Sequence, residues 1–173
     1  MRQIRVVVSD FHIGTGVPEG ELNPFEDFFY DDRFADLLEH YHEVAGPNAE
    51  VELIFNGDIF DLLKIQIDGK WPTEITETIA SEKLRLCLEG HPRFVLALRT
   101  FLSHPGRRLV YLTGNHDLDM WFAGPQELFR RYVAPGELGS KVRFITRSDT
   151  YYLPEGIQIR HGHQLERIHR VDY

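Results

Sequence analysis

The residues best suited to chemistry stand in four short groups of Asp, His and Asn. The groups are Asp10 with His12, then Asp58, then Asn115 with His116 and Asp117, and finally His161 with His163. Carboxylate and imidazole together suit Mn, Fe or Zn better than Ca or Mg, and an amide oxygen can also bind a hard cation. Any one group alone would be an ordinary polar turn. Their repetition along the chain favours a metal centre.

Each group directly follows an apolar run that predicts a buried strand. The four runs cover residues 4–8, 51–55, 109–112 and 157–159. In open α/β sheets, ligands bind at the edge where the carboxyl ends of the strands meet. We therefore expect the four polar groups to converge at one such edge.

Helices are predicted between these strands. The first is capped by Asp31 or Asp32, buries one face between residues 34 and 44, and joins the first two strands into a βαβ unit. The remaining predicted elements are a helix starting at 72–74, helices over 94–102 and 125–133, and strands at 142–144, 150–153 and 157–160. The last two strands are predicted to form a hairpin.

The composition indicates one ordinary globular domain. The chain has 173 residues, of which 42% are hydrophobic, and a net charge of −8. This charge argues against a general nucleic-acid or anionic-membrane surface, but not against phosphate substrates, because bound cations can invert the local field. The single Cys87 permits no internal disulfide. With no signal peptide and no membrane-length apolar segment, the sequence predicts a cytoplasmic protein.

Two cations would explain why so many ligands are present. Two ions about 3.5–4 Å apart clamp the attacking and leaving oxygens of a phosphoryl group and generate hydroxide at neutral pH. Asp58 has two carboxylate oxygens and can bridge both ions, while Asn115 and His161 would complete the shell of the second. His116 is placed to protonate the departing oxygen, and Asp117 could hold its other ring nitrogen. We assign Asp61, three residues after Asp58, the structural role of supporting the loop.

In this order, the motifs resemble those of the calcineurin-like metallophosphoesterase superfamily. They are Asp10-x-His12, Gly57-Asp58, Gly114-Asn-His-Asp117 and His161-Gly-His163. The runs 57–61 and 161–164 are most similar to its bacterial branch related to UDP-2,3-diacylglucosamine hydrolases. The resemblance implies an α/β fold, namely a two-sheet αββα sandwich with helices on the outside.

The resemblance also implies a role for each motif residue. One metal would be held by Asp10, His12 and Asp58, and the second by Asp58, Asn115 and His161. A bridging hydroxide would be the nucleophile. Asn115 and His116 would contact the substrate, with His116 near the leaving group and Asp117 as its partner.

One part of the family pattern is missing. Relatives have a later Gly-His-x-His segment that gives one further His to each metal, and this sequence has none. We therefore expect residues 1–173 to be the N-terminal portion of a longer protein, without its C-terminal strands and inactive on its own if the ligand set stays incomplete. His163 and His169 are the remaining candidates to replace the missing ligands.

The resulting hypothesis is hydrolysis of a phosphate ester or pyrophosphate at two divalent metal ions, with Mn favoured and Fe or Zn as alternatives. The substrate would be a small phosphorylated molecule, and a helical insertion at about 59–105 would form a cap over the site. Two alternatives stay open: a non-catalytic scaffold of the same fold, and a metal-dependent nuclease. No feature of the sequence indicates an oligomeric state.

Overall fold

The fold alternates strands with helices over most of its length. The computed structural model describes residues 2–18, 21–146 and 148–171. The strands are β1 (Arg2–Val8), β2 (Ala49–Asn56), β3 (Arg107–Leu112), β4 (Val142–Ile145), β5 (Thr150–Tyr152) and β6 (Gln158–Arg160). The helices are α1 (Asp31–Ala45), α2 (Glu77–Gly90), α3 (Pro92–Ser103) and α4 (Ala123–Val133), with short 3₁₀ turns at Leu118–Trp121, Gly136–Lys141 and His163–Leu165. Among the described helices, none combines the length and apolar character that crossing a bilayer requires.

The main sheet is parallel, with its four strands in the order β1-β2-β3-β4. In the register of the ladder, Val8 lies opposite Phe55, and Asn56 lies opposite Leu112. The first three strands therefore end at nearly the same level. The polar residues that follow them emerge side by side at one edge.

The two faces of the main sheet are covered by different layers. Along β2, Leu53 and Phe55 point into the core shared with the helices, whereas Ile54 between them joins a second cluster. That second cluster contains Leu153 and Ile159 from the two-stranded antiparallel sheet β5–β6. This alternation follows from the two-residue period of a strand. The predicted α/β sandwich with two sheets is confirmed.

The helix starts differ from the predicted ones. At α1 the N-cap position is Tyr30, without a side-chain cap bond, and Asp31 lies in the first turn. The Asp31 carboxylate instead accepts a hydrogen bond from the Phe94 amide of α3, at 3.0 Å. Helix α2 starts at Glu77 rather than at 72–74, because the Thr76 hydroxyl caps it by accepting from the Ile79 amide. Tertiary contacts and a better cap therefore set these boundaries.

The segment 59–105, predicted to form a cap, contributes α2 and α3 to the helical layer. Helix α3 packs against α1 and β3 and buries Phe94, Leu98 and Phe101. The apolar stripe of α3 thus faces the sheet. Among the residues that the structure describes, none from 59–105 lines the cleft described below.

Candidate metal centre

A cleft of about 450 Å³ opens at the carboxyl ends of β1, β2 and β3. Its lining includes seven of the eight residues predicted for the site, namely Asp10, His12, Asp58, Asn115, His116, His161 and His163. The eighth, Asp117, lies beneath the cleft, fully buried. The structure therefore brings together residues that are up to 153 positions apart in the chain.

The loops that carry these residues adopt an uncommon backbone conformation. Asp10, His12 and Asp58 have positive φ angles of 57°, 51° and 53°. Non-glycine residues reach this region only at some cost in free energy, and such residues cluster at functional sites. Two backbone hydrogen bonds hold the loops together, from the Asp10 amide to the Gly57 carbonyl at 3.1 Å and from the His12 amide to the Asp58 carbonyl at 3.0 Å.

Two glycines allow the loops to approach closely. A Cβ atom at Gly114 would overlap the Asp58 carboxylate, and one at Gly57 would lie 2.5 Å from the Cγ atom of the His161 ring. Gly57 also has a φ of 82°, which side chains disfavour. The glycines that precede Asp58 and Asn115 are therefore requirements of the site geometry.

The donor atoms form two groups that share Asp58. One group contains Asp10, Asp58 and His161, the other contains His12, Asp58 and His116, and within each group the atoms lie within 4.8 Å of one another. Carboxylate and imidazole donors at this spacing fit divalent Mn, Fe or Zn. Sequence reasoning left His116 facing the substrate. In the structure its ring also stands edge-on to the His12 ring, with centroids 4.7 Å apart.

Asp58 is buried between the two groups. Its Oδ2 lies 3.2 Å from His161 Nε2 and 3.9 Å from His12 Nε2, while its Oδ1 accepts from the His116 amide at 2.9 Å. Burial raises the pKa of this carboxyl group, but the hydrogen bonds from His161 and the His116 amide outweigh burial and lower it overall. Asp58 is therefore an ionised carboxylate in contact with both groups.

The His161 ring is oriented by the backbone of β2. Its Nδ1 lies 2.8 Å from the Asn56 carbonyl oxygen and donates to it, which leaves Nε2 facing Asp58. Burial lowers the pKa of this ring, but the hydrogen bond and charge of Asp58 raise it to about 9. The second ring nitrogen of a metal-binding histidine commonly has such a carbonyl partner.

Asp61 holds two of the candidate ligands from below. It is fully buried, and its Oδ1 lies 2.9 Å from His116 Nδ1 while its Oδ2 lies 3.5 Å from His12 Nδ1. Lys64 Nζ lies 2.9 Å from the same Oδ2. Burial raises the pKa of Asp61, but these partners lower it far below its usual range. The sequence analysis assigned Asp61 only to support of the loop. The structure shows that it also contacts two candidate metal ligands, His12 and His116.

Asp117 does not contact the His116 ring, so the predicted pairing is corrected. Its Oδ2 accepts from the Tyr111 hydroxyl at 2.7 Å and from the Ile59 amide at 3.0 Å, and its Oδ1 accepts from the Gly114 amide at 2.6 Å. The turn at 115–116 directs this side chain into the core, so it braces the loop. Burial raises the pKa of Asp117 to about 6, against the opposing effect of the Tyr111 bond.

Four other polar residues line the cleft outside the two donor groups, namely Asn115, His163, Glu166 and His169. Asn115 is half-buried in its wall. His163 is buried, and its ring centroid lies 5.3 Å from that of His161. His169 contacts Glu166, with 3.0 Å between Nδ1 and Oε2. The structure thus brings His163 and His169 to the site without placing either in a donor group.

A buried charged cluster anchors the loop that follows His12, and sequence reasoning missed it. Glu26 accepts hydrogen bonds from the Gly14 and Gly16 amides at 3.1 and 2.6 Å. His91 is buried between Glu26 at 3.2 Å and Asp31 at 3.0 Å. Burial lowers the pKa of His91, but the two carboxylates raise it to about 9. Only the folded chain brings these residues together, so no local pattern indicated them.

Comparison with protein-family models agrees with the metal centre that the geometry of the cleft indicates. Residues 5–173 match the model of the family described as calcineurin-like phosphoesterase. Neither the curated proteins nor the solved structures contain a match to the chain. The family match spans almost the whole sequence, including every residue of both donor groups. The chain belongs to the calcineurin-like phosphoesterase family.

Proposed function

We propose that the protein hydrolyses phosphate esters or pyrophosphates at a centre of two divalent cations, with manganese as the favoured metal. The observation that carries this proposal is the membership of Asp58 in both donor groups. The Oδ2 atom of Asp58 lies near the imidazoles of both His161 and His12, which belong to different donor groups. The Asp58 carboxylate is therefore suited to bridge two ions. Membership of a metallophosphoesterase family supports the same chemistry.

The candidate ligands would be Asp10, Asp58 and His161 for one ion, and His12 with Asp58 for the other. This division differs from the sets that the resemblance implies, in which His12 joins Asp10 and Asp58, and His161 joins Asp58 and Asn115. Asn115, at the wall of the same cleft, would add a neutral oxygen. Two divalent cations at such a centre activate water at neutral pH and neutralise charge on the phosphoryl oxygens.

His116 would act on the leaving group. The Asp61 carboxylate accepts a hydrogen bond from His116 Nδ1 at 2.9 Å, which orients the ring with Nε2 toward the cleft. A positioned histidine of this kind typically contributes about 10²–10⁴-fold to the rate. The substrate would be a small phosphorylated molecule, because the net charge of −8 disfavours long anionic polymers.

The test combines metal content with hydrolysis. The full chain is loaded with manganese and desalted, and the metal per chain is measured by elemental analysis. We expect two ions per chain, with His163 and His169 at the cleft replacing the ligands missing from the family pattern, and manganese-dependent hydrolysis of 4-nitrophenyl phosphate. His116→Ala should lower kcat by about 10²-fold or more. His40→Ala, on the exposed face of α1, is the control and should keep the rate of the wild type.

Either of two results would contradict the proposal. One is an unchanged rate in the His116→Ala variant while its metal content equals that of the wild type. The other is hydrolysis that persists in the wild type after exhaustive removal of metal.

A further inference from the structure

We propose that an aromatic pocket beside the metal centre binds an uncharged aromatic group of the substrate. The aromatic pocket is a cavity of about 390 Å³ lined by Val8, Phe11, Phe28, Tyr30, Phe34 and Leu37. This inference rests on the proposed function and deepens it, because it names the organic part of the phosphorylated substrate.

The pocket adjoins the cleft directly. Asp10 lines both cavities. Phe11 comes between Asp10 and His12 in the chain, and its ring packs against the core under α1 while its two neighbours face the cleft. A phosphoryl group at the metal centre would therefore have its ester substituent within reach of the pocket.

The walls favour a flat ring. Phe11 stacks on Phe28 with centroids 5.1 Å apart, and Phe34 meets Phe11 edge-on at 5.5 Å. Tyr30 stands edge-on to Phe28 at 6.2 Å and is 62% exposed, so it forms the outer rim. Aromatic groups prefer such stacked and edge-on neighbours, and ligand pockets are typically apolar with few polar groups.

The charges at the rim favour a neutral ligand group. Asp10 and Asp27 contribute carboxylates, and Arg33 contributes a guanidinium group that lies 3.6 Å from Asp36. Lys64 Nζ lies 2.5 Å from the Asp27 carboxylate. A second anionic group on the substrate would therefore find the Lys64 and Arg33 cations already paired with Asp27 and Asp36. An uncharged ring needs no free cation and gains the apolar contacts of the walls.

The first measurement tests the pocket without metal or catalysis. Benzyl alcohol is titrated into the full chain, and the methyl resonances of Val8 and Leu37 are followed by NMR. Both should shift at millimolar benzyl alcohol in the metal-free protein. The Val44 methyls, on an exposed part of α1, serve as the control and should not shift. Unshifted Val8 and Leu37 resonances would overturn the proposal, whatever the activity of the protein.

The second measurement links the pocket to the substrate. Calorimetry compares benzylphosphonate with methylphosphonate on the manganese-loaded protein, and we expect the benzyl compound to bind about tenfold more tightly. Tyr30→Ala should remove most of this preference. The neighbouring Phe29, 65% exposed and outside the pocket lining, gives the matched control Phe29→Ala, which should keep it.

The outcomes separate the two proposals. Equal binding of both phosphonates to a protein that hydrolyses 4-nitrophenyl phosphate would overturn the aromatic pocket and leave the phosphoesterase proposal intact. Failure of both phosphonates to bind, with shifted Val8 and Leu37 resonances, would overturn the phosphoesterase proposal and the substrate role of the pocket with it.

Discussion

At the scale of single residues, Asp61 orients two imidazoles from a fully buried position. Its two oxygens lie near His116 Nδ1 and His12 Nδ1, and Lys64 balances its charge. A carboxylate in this position fixes which ring nitrogen faces the cleft and raises the basicity of that nitrogen. Asp61 is therefore a positioning residue for both histidines.

Replacing Asp61 by Asn should separate positioning from folding. The amide keeps the size of the side chain but loses the charge that holds the two rings. We expect Asp61→Asn to lower phosphoesterase activity and manganese affinity by about 10–100-fold, measured by kinetics and calorimetry. Asp68→Asn, at an exposed position, is the control. Activity within about twofold of the wild type would mean that the rings do not depend on Asp61.

Asp58 and Asp10 should differ in their effect on metal loading. Asp58 belongs to both donor groups, whereas Asp10 belongs to one. We expect Asp58→Asn to lose both manganese ions and Asp10→Asn to lose one, as measured by elemental analysis after desalting. Equal loss in the two variants would contradict a bridging role for Asp58.

The sequence predicted which residues meet but not how their side chains are paired. Asp10 and Asp58 follow strands of the parallel sheet, whose carboxyl ends meet at one edge as expected. His161 instead follows β6 of the antiparallel pair, so it reaches the same cleft from the second sheet and not from the predicted edge. Which carboxylate contacts the His116 ring depends instead on the directions that the His116 and Asp117 side chains take after the tight turn at Gly114. That direction is set by close contacts such as the one between Gly114 and Asp58, which no spacing rule contains.

At the scale of elements, the approach of the β2 and β3 loops depends on the absence of a side chain at Gly114. We expect Gly114→Ala to displace the Asp58 carboxylate, because the added Cβ would overlap it. Manganese content should fall below that of the wild type while circular dichroism stays unchanged. The matched control is Gly139→Ala, where the nearest atom to a Cβ lies at 3.5 Å. Full metal loading in Gly114→Ala would contradict this account.

The helix layer was less predictable than the strands. The apolar stripe of α3 was predicted from the sequence, but the elements that cover it were not. Amphipathic periodicity shows that one face of a helix is buried, without showing what covers it. The buried cluster of Glu26, His91 and Asp31 likewise joins three elements and has no local signature.

At the scale of the whole molecule, the metal-free protein should lose stability in mild alkali. The folded state raises the pKa of His91 from 6.5 to about 9, against burial and through Asp31 and Glu26. A raised pKa contributes stability that is fully present below pH 6.5 and disappears as the pH rises through about 9. The contribution of His91 is about 3 kcal/mol at most.

This contribution can be measured by urea unfolding at about pH 6 and about pH 9.5, on either side of the titration. We expect the free energy of unfolding of the wild type to fall more between these conditions than that of His91→Gln. His40→Gln leaves the cluster intact and should follow the wild type. The same fall in His91→Gln as in the wild type would show that other groups cause the alkaline loss. One such group is His161, whose pKa is also raised to about 9.

The left-handed backbone at Asp10, His12 and Asp58 has a consequence for how the protein could evolve or be engineered. Each such residue costs on the order of 1 kcal/mol or more in folding free energy. Glycine at any of the three positions would relieve that cost while removing a candidate metal ligand. Selection for thermal stability alone would therefore act against the centre, and these loops persist only under selection for what the centre does.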